Sequence, residues 1–376
     1  MALLDLSAAF DTVNHRILMQ RMSTTAKVSE KALQWFGSYL TNRRVQVVVN
    51  GCMSKESELV CSVPQGSILG PRQFNIYSTP LGNLLRMLLL SFHLYADDTQ
   101  LMKHVNVKSV AEQFSAKHEL ETNVNVIVEW MHSNKLQLNK QKTEFCVFSS
   151  PYFANYVDVD SLMFGTDKIE SSPLIRNLGV HMDSTLSMVQ HVNQIRKTGF
   201  YYLNWVKKVR PFLTDYAAKA IIHALVISRL DYCNAVLVNL PDCVISRLQG
   251  LMNAAARVIT RTPRRASITP VLESLHWLPV HARIDFKVLC LVYKSLHGQA
   301  PDYLRNIIQS HDQSRTLRSN DCDLLVVPQA RTKYGERSFR HDAPVLWNKL
   351  PENTKSISSF YSFKKSLKTH FFNMYY

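Results

Sequence analysis

Three aspartates stand where short apolar stretches end, and their side chains could hold metal ions. Asp5 follows an apolar run at the beginning of the chain, and Asp97 and Asp98 lie between apolar stretches at 92–95 and 99–102. Carboxylates that lie close together raise one another's pKa, and a divalent cation removes that penalty. Three carboxylates on adjacent strands could bind two magnesium ions, which activate a hydroxyl nucleophile and stabilise a transferring phosphoryl group. An Asp-Asp pair alone is also typical of a solvated hairpin tip, so the companion segments decide between the two interpretations.

Short strands and amphipathic helices must position these carboxylates. Strands are predicted at 1–6 and on both sides of the Asp97-Asp98 tip, and an apolar stripe at helical spacing predicts a helix over 112–136. The other predicted elements of this half are helices at 9–22, 30–40 and 67–90, and strands at 44–50, 143–148 and 178–182, with a hairpin turn at Asn50-Gly51. Residues 149–161 are predicted to be a loop. Helices on a small, partly antiparallel sheet predict the α+β class.

From about residue 187 the pattern becomes helical. The predicted helices cover 189–208, 215–239, 244–260 and 280–297, with a last one at 360–371, and prolines occupy most of the breaks. The tail from 311 onward is polar and basic.

The net charge of +15 is concentrated in this second half. Residues 1–185 contain 17 basic and 17 acidic residues, whereas residues 186–376 contain 27 basic and 12 acidic residues. A neutral half joined to a strongly basic half indicates a polyanionic partner for the second half. A generic basic surface is the alternative.

The seven cysteines and the apolar segments indicate a soluble intracellular protein. No cysteine pair has the spacing of a zinc knuckle, so we expect reduced thiols. The longest apolar stretches, 84–92 and 217–240, are too short or too interrupted by charge to span a bilayer. An aspartate at position 5 argues against a secretory signal. We therefore expect no membrane partner and a location in the nucleus or cytoplasm.

Five segments in order resemble the motifs of LINE-type (non-LTR retrotransposon) reverse transcriptases. They are LDLSAAFDTVNH at 4–15 (motif A), SVPQGSILGP at 62–71 with FNIY at 74–77 (motif B), YADD at 95–98 (motif C), KT at 142–143 (motif D) and NLGV at 177–180 (motif E). In the second half, SRLDYCN at 228–234, HWLPV at 276–280 and APVLWNKLP at 343–351 are similar to the C-terminal part of jockey-like members. The resemblance covers nearly the whole chain.

The resemblance implies an RNA-directed DNA polymerase, a nucleotidyltransferase. The implied fold is a polymerase palm, an antiparallel sheet with helices on one face, followed by a mostly α-helical thumb and C-terminal region. The implied domains are a palm at 1–185, a thumb and connection at 186–300, and a basic region of unknown role at 301–376. The implied partners are an RNA template, a DNA primer and deoxynucleoside triphosphates, and the implied cofactor is Mg²⁺ as two ions, with Mn²⁺ as a substitute. The oligomeric state stays open.

Carried over by position, Asp5 and Asp97 are the principal metal ligands, with Asp98 beside them. The Leu6 carbonyl is a further candidate ligand for the metal. Lys142 matches a position that assists pyrophosphate departure as an acid, and a solvated surface lysine is the alternative.

The resemblance also assigns the substrate contacts. Phe10 matches the steric gate that excludes the 2′-hydroxyl of a ribonucleotide, and a core aromatic is the alternative. Pro64, Gln65 and Gly66 are expected to line the nucleotide pocket, where the glycine lets the backbone approach closely. Tyr95 is expected near the primer end.

A predicted helix in the second half interleaves basic and aromatic residues. Its basic members are Arg196, Lys197, Lys207, Lys208 and Arg210. We expect the basic side chains to contact the phosphates of the template–primer duplex while the aromatics pack inward. A helix with a merely solvated basic face is the alternative.

The sequence departs from the family pattern in two places. Motif A begins close to the first residue, so the fingers region expected before it is largely missing, and we expect the chain to be N-terminally truncated and impaired in activity. Arg72 and Gln73 occupy positions that are apolar in the family, and a charge at a core position would be costly. A non-catalytic nucleic-acid-binding remnant is therefore the competing hypothesis.

Overall fold

The computed structural model describes residues 1–165, 167–310 and 324–376. The chain divides into two compact units, Met1–Leu186 and Ser187–Tyr376, and the predicted boundary at 185/186 lies one residue from this division. The mixture of helices and strands confirms the predicted α+β class. No helix in these ranges is both long and apolar enough to cross a bilayer. The six cysteines within them are free thiols, and Cys322 lies outside the described residues.

The first unit combines short strands with four helices. The helices are α1 (His15–Thr24), α2 (Glu30–Leu40), α3 (Gly70–Met87) and α4 (Val110–Ser133). The strands are β1 (Ala2–Leu4), β2 (Arg44–Val45), β3 (Val48–Val49), β4 (Cys52–Met53), β5 (Ser57–Glu58), β6 (Ser91–Tyr95), β7 (Asp98–Met102), β8 (Glu144–Phe145), β9 (Ser161–Phe164), β10 (Asp167–Glu170), β11 (Leu174–Asn177) and β12 (Val180–Asp183). A 3₁₀ turn covers Pro151–Tyr156.

The central sheet has the strand order β6-β7-β1-β8, and all its pairs are antiparallel. Side chains alternate between the two faces of a strand, so Ala2 and Leu4 on β1 point to the face opposite Leu3. Ala2 and Leu4 are buried in one apolar core. That core also contains α1, α3 and α4 residues, so these helices cover one face of the sheet, as predicted.

The local patterns behave largely as expected in this unit. The Asn50-Gly51 turn joins β3 to β4, and both residues have positive φ, as a two-residue hairpin turn requires. The α4 stripe of Leu120, Val124 and Ile127 is buried. The helix predicted from residue 9 begins only at His15, because Asn14 caps it by accepting a hydrogen bond from the Ile17 N–H at 3.1 Å.

The second unit is helical. Its helices are α5 (Val189–Val209), α6 (Asp215–Ile222), α7 (Ser228–Asp231), α8 (Asp242–Thr260), α9 (Thr269–Ser274), α10 (Val280–Leu296), α11 (Asp302–Arg305), α12 (Lys333–Glu336), α13 (Phe339–Asn348), α14 (Glu352–Lys355) and α15 (Phe360–Tyr375). The single helix predicted over 215–239 is wrong. A π-helical segment, His223–Ile227, separates α6 from α7, and the chain then turns at Cys233, whose φ is +50°.

Candidate active site

The pairing of β1 with β7 determines where Asp5 lies. Leu4 is opposite Thr99 in the antiparallel register, so the next residues, Asp5 and Asp98, continue the same ladder at its end. Asp5 points away from the buried face that holds Leu4. The backbone at Asp5 is fixed at the end of β1, because the Asp5 carbonyl accepts a hydrogen bond from the Asn139 N–H at 2.8 Å. The sheet therefore holds Asp5 and Asp98 on one face of adjacent strands.

The acidic hairpin joins β6 to β7 through a two-residue turn. Tyr95 pairs with Asp98, and Ala96, with φ +53°, and Asp97 form the tip. Burial raises the pKa of the Asp98 carboxyl, and the negative charges of Asp97 and Asp5 raise it further. Asp5 and Asp97 are therefore close enough to Asp98 for their charges to affect its ionisation.

A cavity of about 440 Å³ opens in front of Asp5 and Asp98, and Asp97 lies outside its lining. Its floor is the face of the sheet opposite Ala2 and Leu4, because the β1–β7 and β1–β8 registers place Leu3, Gln100 and Glu144 on the same face as Asp5. Its rim includes the turn at Asn177, whose side chain accepts a hydrogen bond from the Gln100 amide at 2.8 Å. The Glu144 carboxylate accepts from the Arg176 N–H at 3.1 Å.

Lys142 lies at the wall of the same cavity. Its Nζ is 3.7 Å from the Asp5 Oδ2, which is an ion-pair distance but too long for a hydrogen bond. The lysine side chain is 70% exposed, so solvent weakens this attraction. The backbone N–H of Lys142 donates a hydrogen bond to the Asn139 Oδ1 at 3.2 Å, and this bond stabilises the turn that precedes Lys142. The predicted acid therefore stands beside the carboxylates.

The oxygen atoms at this site suit a magnesium ion whose remaining ligands are water and substrate. The Asp5 Oδ2 is buried and accepts no hydrogen bond. Leu6 and Leu138 form an antiparallel bridge whose hydrogen bonds run between the flanking residues, from the Ser7 N–H to the Gln137 carbonyl and from the Asn139 N–H to the Asp5 carbonyl. The Leu6 carbonyl therefore points away from Leu138. Among the described residues, no three His, Cys, Asp or Glu side chains form a ready-made metal cage. Mg²⁺ is commonly bound by one or two carboxylates with water and substrate phosphates, so an open donor set of this kind suits it.

A second group of predicted residues meets around the segment after Asp5. The Val63 N–H donates to the Phe10 carbonyl at 2.9 Å, and the Phe10 ring stacks on Phe74 with centroids 5.1 Å apart. The Gln65 amide donates to the Asp11 carboxylate at 3.1 Å. Motif A and motif B are therefore joined through backbone and side chain. No hydrogen bond or ion pair within the described part of the chain links this group to the carboxylates.

The remaining predicted substrate contacts lie around this group and on the hairpin. Pro64 is half-buried, and its carbonyl accepts from the Ser67 hydroxyl at 2.8 Å. Gly66 is exposed and has φ +80°, a conformation that favours glycine. Tyr95 is exposed on the strand that leads to the acidic tip.

The predicted buried charge in motif B is wrong. Arg72 is exposed on α3, so its charge stays in water. Gln73 is the buried residue, at 1% exposure, and neither polar atom of its amide has a hydrogen-bond partner in the described chain. Any loss of folding stability in this part of motif B therefore comes from the buried, unsatisfied amide of Gln73 and not from a buried charge.

Several residues that support the site were missed in the sequence. Arg21 donates to the Tyr77 carbonyl and to the Asn134 side chain, and the Tyr77 hydroxyl donates to the Asn134 carbonyl at 2.5 Å. This polar cluster ties α1, α3 and the end of α4 together beneath the sheet. Nothing in the local sequence marks Arg21. Gln100 could have been found, because it lies two residues after Asp98 and hence on the same face of the strand.

The basic helix of the second unit is α5. Arg196, Lys197, Lys207 and Lys208 are exposed along it, so their ammonium and guanidinium groups are available to phosphates. Arg210 differs, and the prediction that it contacts phosphate is corrected here. It is 5% exposed, and its guanidinium donates to the carbonyls of Leu213, Val258 and Ile259 and pairs with Asp215. Four of its five N–H donors are therefore used in contacts that hold the fold together.

The expectation that the α5 aromatics pack inward is also wrong for two of them. Tyr201 is 58% exposed and Trp205 is 56% exposed, with ring centroids 6.5 Å apart. The Lys208 Nζ lies 5.3 Å from the Trp205 ring centroid. The exposed face of α5 therefore combines cations with aromatic rings, a combination that binds both phosphates and bases.

The sequence of this chain is similar to those of known proteins. The family model described as reverse transcriptase (RNA-dependent DNA polymerase) matches residues 1–213. The chain is 24% identical over 215 residues to the RNA-directed DNA polymerase from mobile element jockey of Drosophila funebris, covering 55% of this chain and 22% of that protein. It is 24% identical over 296 residues to the probable RNA-directed DNA polymerase from transposon BS of Drosophila melanogaster, covering 75% of this chain and 31% of that protein.

A third relative agrees with these two. The probable RNA-directed DNA polymerase from transposon X-element of Drosophila melanogaster is 26% identical over 275 residues, covering 68% of this chain and 28% of that protein. The chain thus spans about a quarter of the length of these curated relatives. The matches confirm the resemblance that motifs A to E predicted.

Proposed function

Because this chain belongs to the reverse transcriptase (RNA-dependent DNA polymerase) family, we propose that it extends a DNA primer on an RNA template by two-metal nucleotidyl transfer at Asp5, Asp97 and Asp98. One observation carries the proposal. Asp5 and Asp98 end adjacent strands on the same face, with Asp97 at the neighbouring tip, in front of a cavity that could admit a triphosphate.

The reaction joins the primer 3′-oxygen to the α-phosphorus of a deoxynucleoside triphosphate. The bond from that phosphorus to the bridging oxygen breaks, and pyrophosphate leaves. Two Mg²⁺ ions, or Mn²⁺ in their place, would supply activation of the hydroxyl and stabilisation of the phosphoryl charge, with Asp5, Asp97, Asp98 and the Leu6 carbonyl as their protein ligands. Lys142, beside Asp5, is placed to give a proton to the departing pyrophosphate.

Selection of the nucleotide is proposed for the group around Phe10. Its ring, stacked on Phe74, would exclude a 2′-hydroxyl, while Pro64, Gln65 and Gly66 would line the pocket. Tyr95, exposed at the end of β6, would lie against the primer terminus.

Binding of the template–primer duplex is proposed for the basic residues of α5, namely Arg196, Lys197, Lys207 and Lys208. Lys207 also lines an open groove between α5 and α8 together with Arg261 and Arg264. Cations along a groove attract the phosphates of a nucleic-acid backbone and would make binding salt-dependent. The proposed substrates, RNA and deoxynucleoside triphosphates, would place this activity in the nucleus or cytoplasm.

The test is primer extension on poly(rA)–oligo(dT) with Mg²⁺. We expect Asp97→Asn and Asp5→Asn to reduce the rate by more than about a hundredfold, because loss of a ligand should exceed the loss seen for its supporting residues. Asp158→Asn is the matched control, since Asp158 is exposed in the same unit and lies outside the cavity. Equal extension by wild type and Asp97→Asn would refute the assignment of the carboxylates. The predicted impairment of this chain is measured by the wild-type rate in the same assay.

The second candidate function is nucleic-acid binding without catalysis. It is favoured by the basic groove and by the net charge of the second half. Under this hypothesis duplex binding stays salt-dependent in Asp5→Asn and Asp97→Asn, while wild type shows no Mg²⁺-dependent extension. Extension by wild type alone would exclude it.

A further inference from the structure

Two sequence segments to which the proposed function assigns no role meet in the second unit. Arg283 donates to both oxygens of Asp231, at 2.8 and 3.0 Å, and to the Leu278 carbonyl at 2.9 Å. The Trp277 indole N–H donates to the His223 Nε2 at 3.2 Å. These contacts join the segments 228–234 and 276–280 into the wall of one cavity of about 500 Å³.

The cavity is strongly cationic. Lys219 on α6, Lys287 on α10 and Lys368 on α15 line it from three different helices, and the charge of Arg283 is already balanced by Asp231. Among the ion pairs of the described residues, none involves these three lysines. Three lysines that line one cavity without an ion-pair partner among the described residues attract an anion, which would form charge-assisted hydrogen bonds with them.

His223 adds a neutral hydrogen-bond donor to the same wall. Burial lowers the pKa of its imidazole, and the positive charges of Arg283 and Lys219 lower it further. Since its Nε2 accepts from the indole, the proton of the neutral ring is on Nδ1. The residue also begins the π-helical segment between α6 and α7, an irregularity that is frequent at functional sites.

The lining of the cavity also has apolar members. They include Phe286, Leu275 and the buried Trp277. A cavity of this volume falls within the range of about 300–1,000 Å³ that is usual for small-molecule sites. A lining that combines lysines with apolar side chains suits a ligand with a multiply charged head and a flat apolar body, which a carboxylate side chain of a peptide does not provide.

We propose that this cavity binds one nucleotide unit, with its phosphate at Lys219, Lys287 and Lys368 and its base against the wall that contains Phe286. The unit could be a free nucleotide or one residue of a single strand. The site lies in the second unit, so it does not depend on the carboxylate site of the first.

The experiment is calorimetric titration of the full chain in EDTA, which suppresses metal-dependent binding at the carboxylates. The probes are adenosine monophosphate, a 5′-phosphorylated adenine trinucleotide and inorganic phosphate. We expect the double variant Lys287→Gln/Lys368→Gln to bind the nucleotide probe about tenfold more weakly than wild type, since it loses charge-assisted hydrogen bonds. Binding by the monophosphate identifies a free nucleotide, and binding by the trinucleotide alone identifies a strand.

The matched control is Lys333→Gln/Lys365→Gln. All four lysines are exposed, so both double variants should fold, and both lose the same charge. Thermal melting confirms that each is folded. The proposal is overturned if both pairs weaken binding equally, if neither does, if no nucleotide probe binds, or if inorganic phosphate binds as tightly as the nucleotide.

Discussion

Replacement of Arg210 by methionine tests whether this residue supports the fold or contacts nucleic acid. Its Nε donates to the Val258 carbonyl at 2.9 Å, and its Nη2 donates to the Ile259 carbonyl at 2.6 Å. Both acceptors lie in the last turn of α8, where carbonyls have no partner within the helix. A cation at this end also interacts favourably with the helix dipole. Arg210 therefore caps α8 from the end of α5.

The expected cost follows from these contacts. Methionine keeps most of the apolar stem and removes every donor. Three carbonyls, including that of Leu213, lose a charged donor at about 1–1.5 kcal/mol each. The dipole contributes about 0.5 kcal/mol more. Asp215 is 82% exposed on its side chain and stays solvated, so its loss of a partner adds little. We expect the free energy of unfolding to fall by about 4 kcal/mol, a large part of the 5–15 kcal/mol typical of a protein.

The assay combines urea denaturation with the salt dependence of duplex binding in the cold, where the variant stays folded. Arg210→Met should lower stability and leave the slope of log K against log salt unchanged. Lys207→Met, on the exposed face of the same helix, should change stability by less than about 0.5 kcal/mol and reduce the slope by about 0.9, the value for one phosphate. If Arg210→Met instead keeps its stability and reduces the slope, the burial argument is wrong. Should it fail to fold even in the cold, Arg210→Lys, which keeps the charge but not the fork of donors, should show a smaller loss of the same kind.

Three further predictions concern stability, each measured by chemical denaturation. Because the folded pKa of Asp98 is raised, its ionisation costs stability at neutral pH, so Asp98→Asn should stabilise the metal-free protein at pH 7. The gain should be only about a few tenths of a kcal/mol, because Asp98 is half-buried and solvent screens its charge. That gain should disappear as the pH falls towards about 4, and a gain that persists in acid would contradict the cause given. Gln73→Met should stabilise by about 1–2 kcal/mol because the buried amide has no partner in the described chain, and a loss would show that the amide is bonded. Gly199→Ala should destabilise the protein by about 1–3 kcal/mol, since the added Cβ would lie 2.4 Å from the buried Leu251 Cδ2. Gly250→Ala should instead stabilise it by about 0.5–1 kcal/mol, because no atom lies within 4 Å of the added Cβ. A change of the same sign in both variants would refute the packing argument.

The parts of the fold that the sequence predicted correctly are those set by local chemistry. The acidic hairpin, the Asn50-Gly51 turn and the helices at 30–40 and 280–296 follow from alternation, turn residues and helical period over one continuous segment. The strands β9 to β11 were not predicted, because each has only four residues and forms through pairing with a distant or neighbouring strand. The predicted helix over 215–239 failed for a similar reason. Its break accompanies the contact of Asp231 with Arg283, 52 residues later in the chain.

In the candidate sites too, the residues marked by local sequence were predicted correctly, and those whose partners are distant in sequence were not. Asp5, Asp97 and Asp98 could be predicted because each is next to an apolar strand whose pairing brings it to a common face. Arg210 was misassigned because its charge suggested phosphate, while its partners lie 48 and 49 residues away and leave no local trace. Arg21 was missed for the same reason, since its acceptor on Asn134 is 113 residues distant.

The alternation of β1 explains how an unfavourable acidic site is kept in place. Ala2 and Leu4 fill the core on one face, and Asp5 is delivered to the other. A slip of one residue would bury Asp5 and expose Leu4, so the burial that stabilises the strand also fixes the carboxylate. The raised pKa of Asp98 means that its ionised carboxylate lowers the stability of the folded chain when no cation is bound. A cation would therefore stabilise the folded chain as well as enable the proposed chemistry, and Mg²⁺ should raise the melting temperature of wild type more than that of Asp98→Asn.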